Sequence, residues 1–365
     1  MNNITDEPAR GSIGDLRVFQ RPGLESMRRF VRLELPAFPI SRLTGMRLTE
    51  AGFGKATFAM PVTRWLGDGF GLYWGGVYAL LADAPLACAI WTTLPAGKAL
   101  ATSELALSFV RPMSQKTEGM VGRAEVVHCS TQVGLSMIEI TDQDGRMLAF
   151  GSTRCLISDV AVDPGADYPP PDLGPVEPPD PYLRPPPEDG YFSLDEILNG
   201  VPIDLQQRTV AGEVVFPVWR LTGYRPTVVT HGQVTGVLPA SAWLSNGGPA
   251  VYGGLIAWAA EFTMGAAVYS MLGAGDVFGT LDMHIRFTRP ARIDAGGLTF
   301  RASVDHVGKR LRVTSCTVDD AEGKRVAMAT SSALLVPGGV RELTKGRLPE
   351  EILADADRND PGWPR

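Results

Sequence analysis

The sequence predicts an α+β protein built from two copies of one module, each an antiparallel meander wrapped around a single long apolar helix. Three observations predict it. First, "FPISRLTG" at 38–45 recurs as "FPVWRLTG" at 216–223, and later landmarks keep that offset of 178 residues without a gap, so that 38–157 maps onto 216–335. Second, "YWGGVYALLADAP" and "VYGGLIAWAAEFT" each set a glycine pair before a long apolar run holding one carboxylate, Asp83 or Glu261, seven residues after the second glycine. Third, the segments that follow alternate apolar and polar residues, which is the period of half-buried strands.

Taken in order, "GLESMRRFVRLEL" at 23–35 predicts a short amphipathic helix within a weakly patterned N-terminal extension. "GKATFAMPV" reads as a strand, and Gly75-Gly76 then opens a helix of about four turns that is apolar nearly all round and therefore buried on most sides. Pro85 interrupts or kinks it just past Asp83. Four strands follow, "SELALSFVRP", "EGMVGRAEVVHC", "QVGLSMIEITD" and "RMLAFGSTRCLIS", with "TDQDG" as the last turn and "DDAEG" in its place in the second copy. Prolines crowd the stretch 163–190, which predicts a stiff extended connector. The expected boundaries are a first module over 1–160, a Pro-rich linker over 161–192, a second module over 193–340 and a tail over 341–365.

A chain of 365 residues with 44% hydrophobic content has enough apolar surface for two cores. A formal charge of −6 with no Lys/Arg run gives no footprint for nucleic acid or an anionic membrane, so a small molecule or protein is the expected partner. The start carries acidic residues and no apolar leader, and the most apolar segments each hold a carboxylate, so a cytoplasmic chain without membrane spans is expected. No CxxC pair occurs, and His128, His231, His284 and His306 show no ligand spacing, so neither a disulfide framework nor a metal site is expected.

The repeated constellation suggests chemistry at a helix N-terminus. Its first N–H groups have no intrahelical partner and sit at the positive end of the dipole, where a developing oxyanion can dock. Glycines at 75–76 and 253–254 let a substrate approach that backbone closely. The carboxylate two turns on serves as a general base for water or attacks directly, and the sequence leaves both routes open. An acidic residue in one apolar helix is usually at its solvent edge, but a constellation written twice favours function. His128 and His306 read as strand residues, Trp65 and Trp243 as core, and Arg111 and Arg289 as strand-end cations in ion pairs or on phosphates.

With these motifs the chain resembles the hotdog-fold thioesterases, in particular the PaaI-like acyl-CoA thioesterase group, in tandem form. "NGGPAVYGGLIAWAAE" at 246–261 with "TLDMHIRFTRP" at 280–290, and "DGFGLYWGGVYALLAD" at 68–83 with "TSELALSFVRP" at 102–112, carry the resemblance. The family's His before the glycines is Trp74 in one copy and Tyr252 in the other. The resemblance implies a double hotdog with two antiparallel sheets joined edge to edge, and hydrolysis of acyl-CoA substrates without metal or redox cofactor. It also implies composite sites. One combines Asn246, Tyr252, Gly253 and Gly254 with Asp83 and Thr102; the other combines Asp68, Trp74, Gly75 and Gly76 with Glu261 and Thr280. Arg111 and Arg289 are the implied contacts for coenzyme A phosphates. If Asp68 and Glu261 are close, their repulsion makes the second site the weaker one. A non-catalytic acyl-CoA binding or regulatory protein is the alternative, and a homo-oligomer of such chains is an open expectation.

Overall fold

A computed structural model describes residues 3–12, 14, 16–113, 116–161, 178–246 and 248–339. Linker residues 162–177 and the expected tail lie outside the described residues. The first module comprises α1 (Gly23–Val31), α2 (Pro39–Thr44), β1 (Arg47–Gly52), β2 (Lys55–Pro61), α3 (Gly76–Trp91), β3 (Lys98–Phe109), β4 (Gly119–Cys129), β5 (Val133–Asp142) and β6 (Met147–Asp159). The second comprises α4 (Leu194–Asn199), α5 (Pro202–Val210), α6 (Pro217–Thr222), β7 (Arg225–Thr230), β8 (Gln233–Leu238), α7 (Gly253–Tyr269), β9 (Val277–Phe287), β10 (Leu298–Val307), β11 (Leu311–Asp320) and β12 (Arg325–Val336).

The twelve strands form one antiparallel sheet in the order β1-β2-β4-β5-β6-β3-β9-β12-β11-β10-β8-β7, which is palindromic in module terms. At its centre β3 pairs with β9, Glu104 facing Arg286, Ala106 facing His284 and Ser108 facing Asp282. The expected two sheets thus meet edge to edge, which removes two exposed strand edges. In the β5–β6 turn Asp142 Oδ1 accepts from the N–H groups of Asp144 and Arg146 at 3.0 and 2.8 Å. Asp320 Oδ1 repeats this with Glu322 and Lys324 at the same distances, so "TDQDG" and "DDAEG" are one turn written twice.

The two long helices pack against each other and against the strands of their own modules. Their residues are buried on nearly every face, as the all-round apolar pattern requires. Pro85 does not end α3, which continues to Trp91. One turn of the ladder is rebuilt from outside, because the Ala84 N–H donates to the Tyr252 hydroxyl of the other module at 2.8 Å.

Duplication extends further than the sequence pattern shows. Helices α1 and α5 occupy corresponding places before α2 and α6, and so do the arms that precede them. Those arms are exchanged. Residues 3–12 lead into the first module yet dock on the second: the Trp243 indole donates to the Glu7 carbonyl at 3.1 Å, and the Ser241 hydroxyl donates to that of Thr5 at 3.2 Å. Residues 178–184 lead into the second module yet dock on the first, where the Trp65 indole donates to the Arg184 carbonyl at 2.8 Å and Arg42 pairs with Asp180 at 3.3 Å. The end of the stretch read as a spacer is therefore a strap. Gly45 and Gly223, with φ of 77° and 75°, close α2 and α6 beneath the arms. A Cβ on Gly45 would meet the Tyr182 ring at 2.8 Å, and one on Gly223 the Thr5 hydroxyl at 2.6 Å.

Each module thus lends the other a sheet edge, an arm and a helix face. Residues 1–160 expressed alone should self-associate or precipitate, since the edge of β3 and one face of α3 are left bare. Sedimentation that returned a well-behaved monomer would overturn the interlocked arrangement.

Candidate functional site

The helix carboxylates face the other module, not solvent. Asp83 is 5% exposed and Glu261 is 1% exposed. Asp83 Oδ1 accepts from the Thr102 hydroxyl of its own module at 2.7 Å, and Oδ2 accepts from the Gly254 N–H of the other at 3.0 Å. Glu261 repeats the arrangement, with the Thr280 hydroxyl on Oε1 at 2.7 Å and the Gly76 N–H on Oε2 at 2.9 Å. The helices therefore run antiparallel, the N-terminus of each lying against the third turn of the other. Each carboxylate neutralises the partner helix's positive end.

Burial raises the pKa of both acids against the lowering effect of these hydrogen bonds. Glu261 is pushed from 4.5 to about 7. Asp83 moves in the same direction, eased by Thr102 and Gly254. A carboxyl that exchanges its proton near neutrality is poised for general base work.

Backbone geometry aims these groups. The glycines serve the approach of the opposite helix: a Cβ on Gly76 would lie 2.9 Å from the Trp258 carbonyl oxygen, and one on Gly254 would lie 2.7 Å from that of Ala79. A Cβ on Gly253 would stand 2.7 Å from Asp83 Oδ2, and one on Gly75 would strike the Phe109 ring at 2.6 Å. Immediately after each threonine the strand register shifts, between Thr102 and Glu104 in β3 and opposite Thr280 and Asp282 in β9. The bulges turn both hydroxyls toward the carboxylates.

The expected composite sites are assembled only in part. Asn246 is half-buried in the loop before α7 and, among the described residues, makes no hydrogen bond to Asp83 or to the glycines. Its counterpart Asp68 is 1% exposed and ties its own loop together, accepting from the N–H groups of Phe70 and Leu72 at 2.9 and 2.8 Å and from the Trp74 indole. Burial lifts Asp68 from 3.8 to about 6. Glu261 is not among the causes of that rise, nor Asp68 among those for Glu261, so the repulsion considered from sequence has no part in either shift. Where the family has a histidine, Tyr252 reaches into α3 and Trp74 stacks on Phe262 with centroids 4.5 Å apart.

Other candidates stand apart. Arg289 is exposed beyond β9, while the Arg111 carbonyl accepts the Tyr78 hydroxyl at 2.6 Å. His128 and His306 are exposed, each just past a register shift. Sequence reasoning missed the aromatic cluster of Phe216, Trp219, Tyr224 and Phe262 in the second module. The signal was there: the first copy has Phe38, Ser41, Met46 and Ala84 at those places. Among the described residues no group of three or more His, Cys, Asp or Glu could hold a metal ion, and no helix is long and apolar enough to cross a membrane.

Two helix-wrapping antiparallel modules, fused edge to edge and exchanging helix carboxylates, define a double hotdog. Residues 70–149 and 248–327 each match the family model described as thioesterase superfamily, and these two segments belong to that superfamily. A hot dog fold protein of unknown function from Alicyclobacillus acidocaldarius aligns with a TM-score of 0.50 at 14% identity, covering 82% of this chain and 98% of that one. An acyl-CoA thioesterase II from Mycobacterium marinum aligns at 14% identity and 0.48, covering 82% and 97%. A putative thioesterase from Novosphingobium aromaticivorans aligns at 17% and 0.48, covering 77% and 95%. No curated protein matches the sequence.

The raised acids also bear on stability. Below about pH 4.5 Glu261 holds its proton in both the folded and unfolded chain, so its burial costs nothing in charge. Above about pH 7 the proton is absent from both, and the folded state alone carries a buried charge. This contribution therefore weakens the fold as pH rises through that window. Glu261→Gln should flatten the decline and raise the melting temperature at pH 8 by a few degrees. An unchanged melting profile between pH 4.5 and 8 would contradict the assignment.

Proposed function

We propose that this protein hydrolyses acyl-CoA thioesters to the free acid and coenzyme A, as a tandem relative of the PaaI-like group, with Asp83 and Glu261 as the general bases of two composite sites. What supports this most directly is one observation made twice: a buried carboxylate held between its own module's threonine and the N–H of a glycine that opens the other module's helix.

That arrangement suggests a sequence of steps. The thioester carbonyl oxygen takes the Gly254 or Gly76 N–H and displaces the carboxylate oxygen that holds it. The carboxylate then loses a hydrogen bond that lowered its pKa and becomes a stronger base, still oriented by its threonine. It removes a proton from water, the hydroxide attacks the carbonyl carbon, and the tetrahedral oxyanion sits on the helix N-terminus. Collapse expels the coenzyme A thiolate, which is protonated on release. Base strength thus rises when substrate binds. Arg111 and Arg289 are the candidate contacts for the coenzyme A phosphates, and Asn246 is the candidate amide at the mouth of the first site.

Because Asp68 is not among the causes of the Glu261 shift, nor Glu261 among those of Asp68, both sites are proposed to work. Asp83→Asn and Glu261→Gln should each remove about half of the thiol release from an acyl-CoA panel, and the double variant should lose at least a hundredfold. A double variant with wild-type turnover would refute the assignment of the two bases, and a wild-type chain that releases no thiol from any acyl-CoA would favour a binding or regulatory role. In Asp83→Asn the remaining kcat/KM should rise with pH through a limb near 7, the proton affinity of Glu261. A profile flat from pH 5 to 9 would remove Glu261 from the role of base.

A further inference from the structure

A void lies against the second module, lined also by Phe70 and Trp74 of the first. It lies between α5, α6, β7 and α7 and is walled by aromatic rings, among them Trp74, Trp219, Tyr224 and Phe262. Its open volume is about 20 Å³, room for one water molecule or one hydroxyl group. Two of the residues that line it each carry a buried polar atom without a hydrogen-bond partner: Gln206 Oε1 and Trp219 Nε1. Gln206 is 9% exposed and Trp219 is 3% exposed. The orientation of Gln206 is fixed, because its Nε2 donates to the Ala266 carbonyl at 2.8 Å and that oxygen can only accept. Beside the void, Gln206 thus offers an unused acceptor and Trp219 an unused donor, the hydroxyls of Thr209 and Tyr224 are engaged elsewhere, and no charged residue is among the lining residues.

Its position relates it to Glu261. Phe262 and Ala266, which line the void, follow Glu261 along α7. Trp74 stands between the two places: it precedes the Gly76 N–H that holds Glu261, stacks on Phe262, and crosses α7 so closely that a Cβ on Gly265 would meet it at 2.1 Å. We propose that this void is the far end of an acyl-binding site served by Glu261, and that it selects an apolar acyl group tipped with a hydroxyl. The hydroxyl accepts from Trp219 Nε1 and donates to Gln206 Oε1. A carboxylate finds no countercharge there and faces the glutamine oxygen; an ammonium finds no anion; a methyl leaves both polar atoms buried and unpaired. For the chain to reach the void, the Trp74 indole must leave Phe262 and release the Asp68 carboxylate to which it donates. At the equivalent places the first module has Arg28 for Gln206 and Ser41 for Trp219, so the selection belongs to the second site alone.

Only the direction of entry rests on the thioester reading; the polar pair can be tested without it. The indole N–H signal of Trp219, assigned by its loss in Trp219→Phe, should shift on titration of the full chain with 1-hexanol. It should move much less with 1-chlorohexane, which has the same carbon skeleton and no hydroxyl. Gln206→Leu should reduce the affinity for the alcohol about tenfold or more and abolish the preference. For activity, kcat/KM of Asp83→Asn should favour an ω-hydroxyacyl-CoA over the plain acyl-CoA by a similar factor, and Gln206→Leu added to it should remove that factor. Equal response to alcohol and chloride, or a preference that survives Gln206→Leu, would overturn the proposal and leave a resident water only. Alcohol binding in a chain that releases no thiol from any acyl-CoA would instead overturn the thioester reading and retain the hydroxyl site.

Discussion

The structure depends on two hydrogen bonds that cross the same boundary in opposite directions, Asp83 to the Gly254 N–H and Glu261 to the Gly76 N–H. A carboxylate buried without partners is costly enough that it would be protonated or the site would fill with water. Here each acid is satisfied by a threonine of its own module and a helix terminus of the other. Neither module can supply that environment alone. The glycine pairs follow from this, since side chains at Gly76 and Gly254 would hold the helices apart and lengthen both bonds. So do the bulges after Thr102 and Thr280, which place the second donor.

The exchanged arms obey the same logic at the periphery. Trp65 and Trp243 are buried, and a buried indole N–H needs an acceptor. Each finds a main-chain carbonyl on the arm that belongs, by sequence, to the other module. The arms are also tied to one another, Arg184 pairing with both oxygens of Glu7 at 2.8 and 2.9 Å. Three layers of exchange, at the sheet edge, the helix termini and the arms, therefore join the modules.

Much of this was legible in the sequence because its signals are periodic or strictly spaced. The ungapped repeat fixed the duplication, the all-round apolar runs fixed the buried helices, and the seven-residue spacing marked Asp83 and Glu261. The exchange of arms was not legible, for a physical reason: the indoles bond to main-chain oxygens of Glu7 and Arg184, a contact that any residue type can offer. The role of the glycines was read as access for a ligand, whereas the contact they permit is with the opposite helix, and sequence does not say which partner comes close. Asp68 looked like a neighbour of Glu261 by analogy of position. Its oxygens are instead taken by Phe70, Leu72 and Trp74, because a short loop that must bury its own N–H groups is served best by a carboxylate within it.

Comparison of the two copies separates what the fold requires from what it leaves free. The acid, the threonine and the helix-opening glycines keep their places in both, since a change in one would strand a charge or an N–H in the other. The surroundings of the acids have diverged. Around Glu261 the chain has placed Trp219, Tyr224 and Phe262 where the first module has Ser41, Met46 and Ala84, and Tyr252 binds the backbone of α3 where Trp74 binds a ring of α7. A fused chain permits this because each half is held to a fixed partner, so a substitution on one side of the pseudo-twofold axis is not copied to the other. A dimer of identical modules would carry every such change twice. Fusion thus converts a symmetric pair of carboxylates into an aspartate and a glutamate with the same partners and different surroundings.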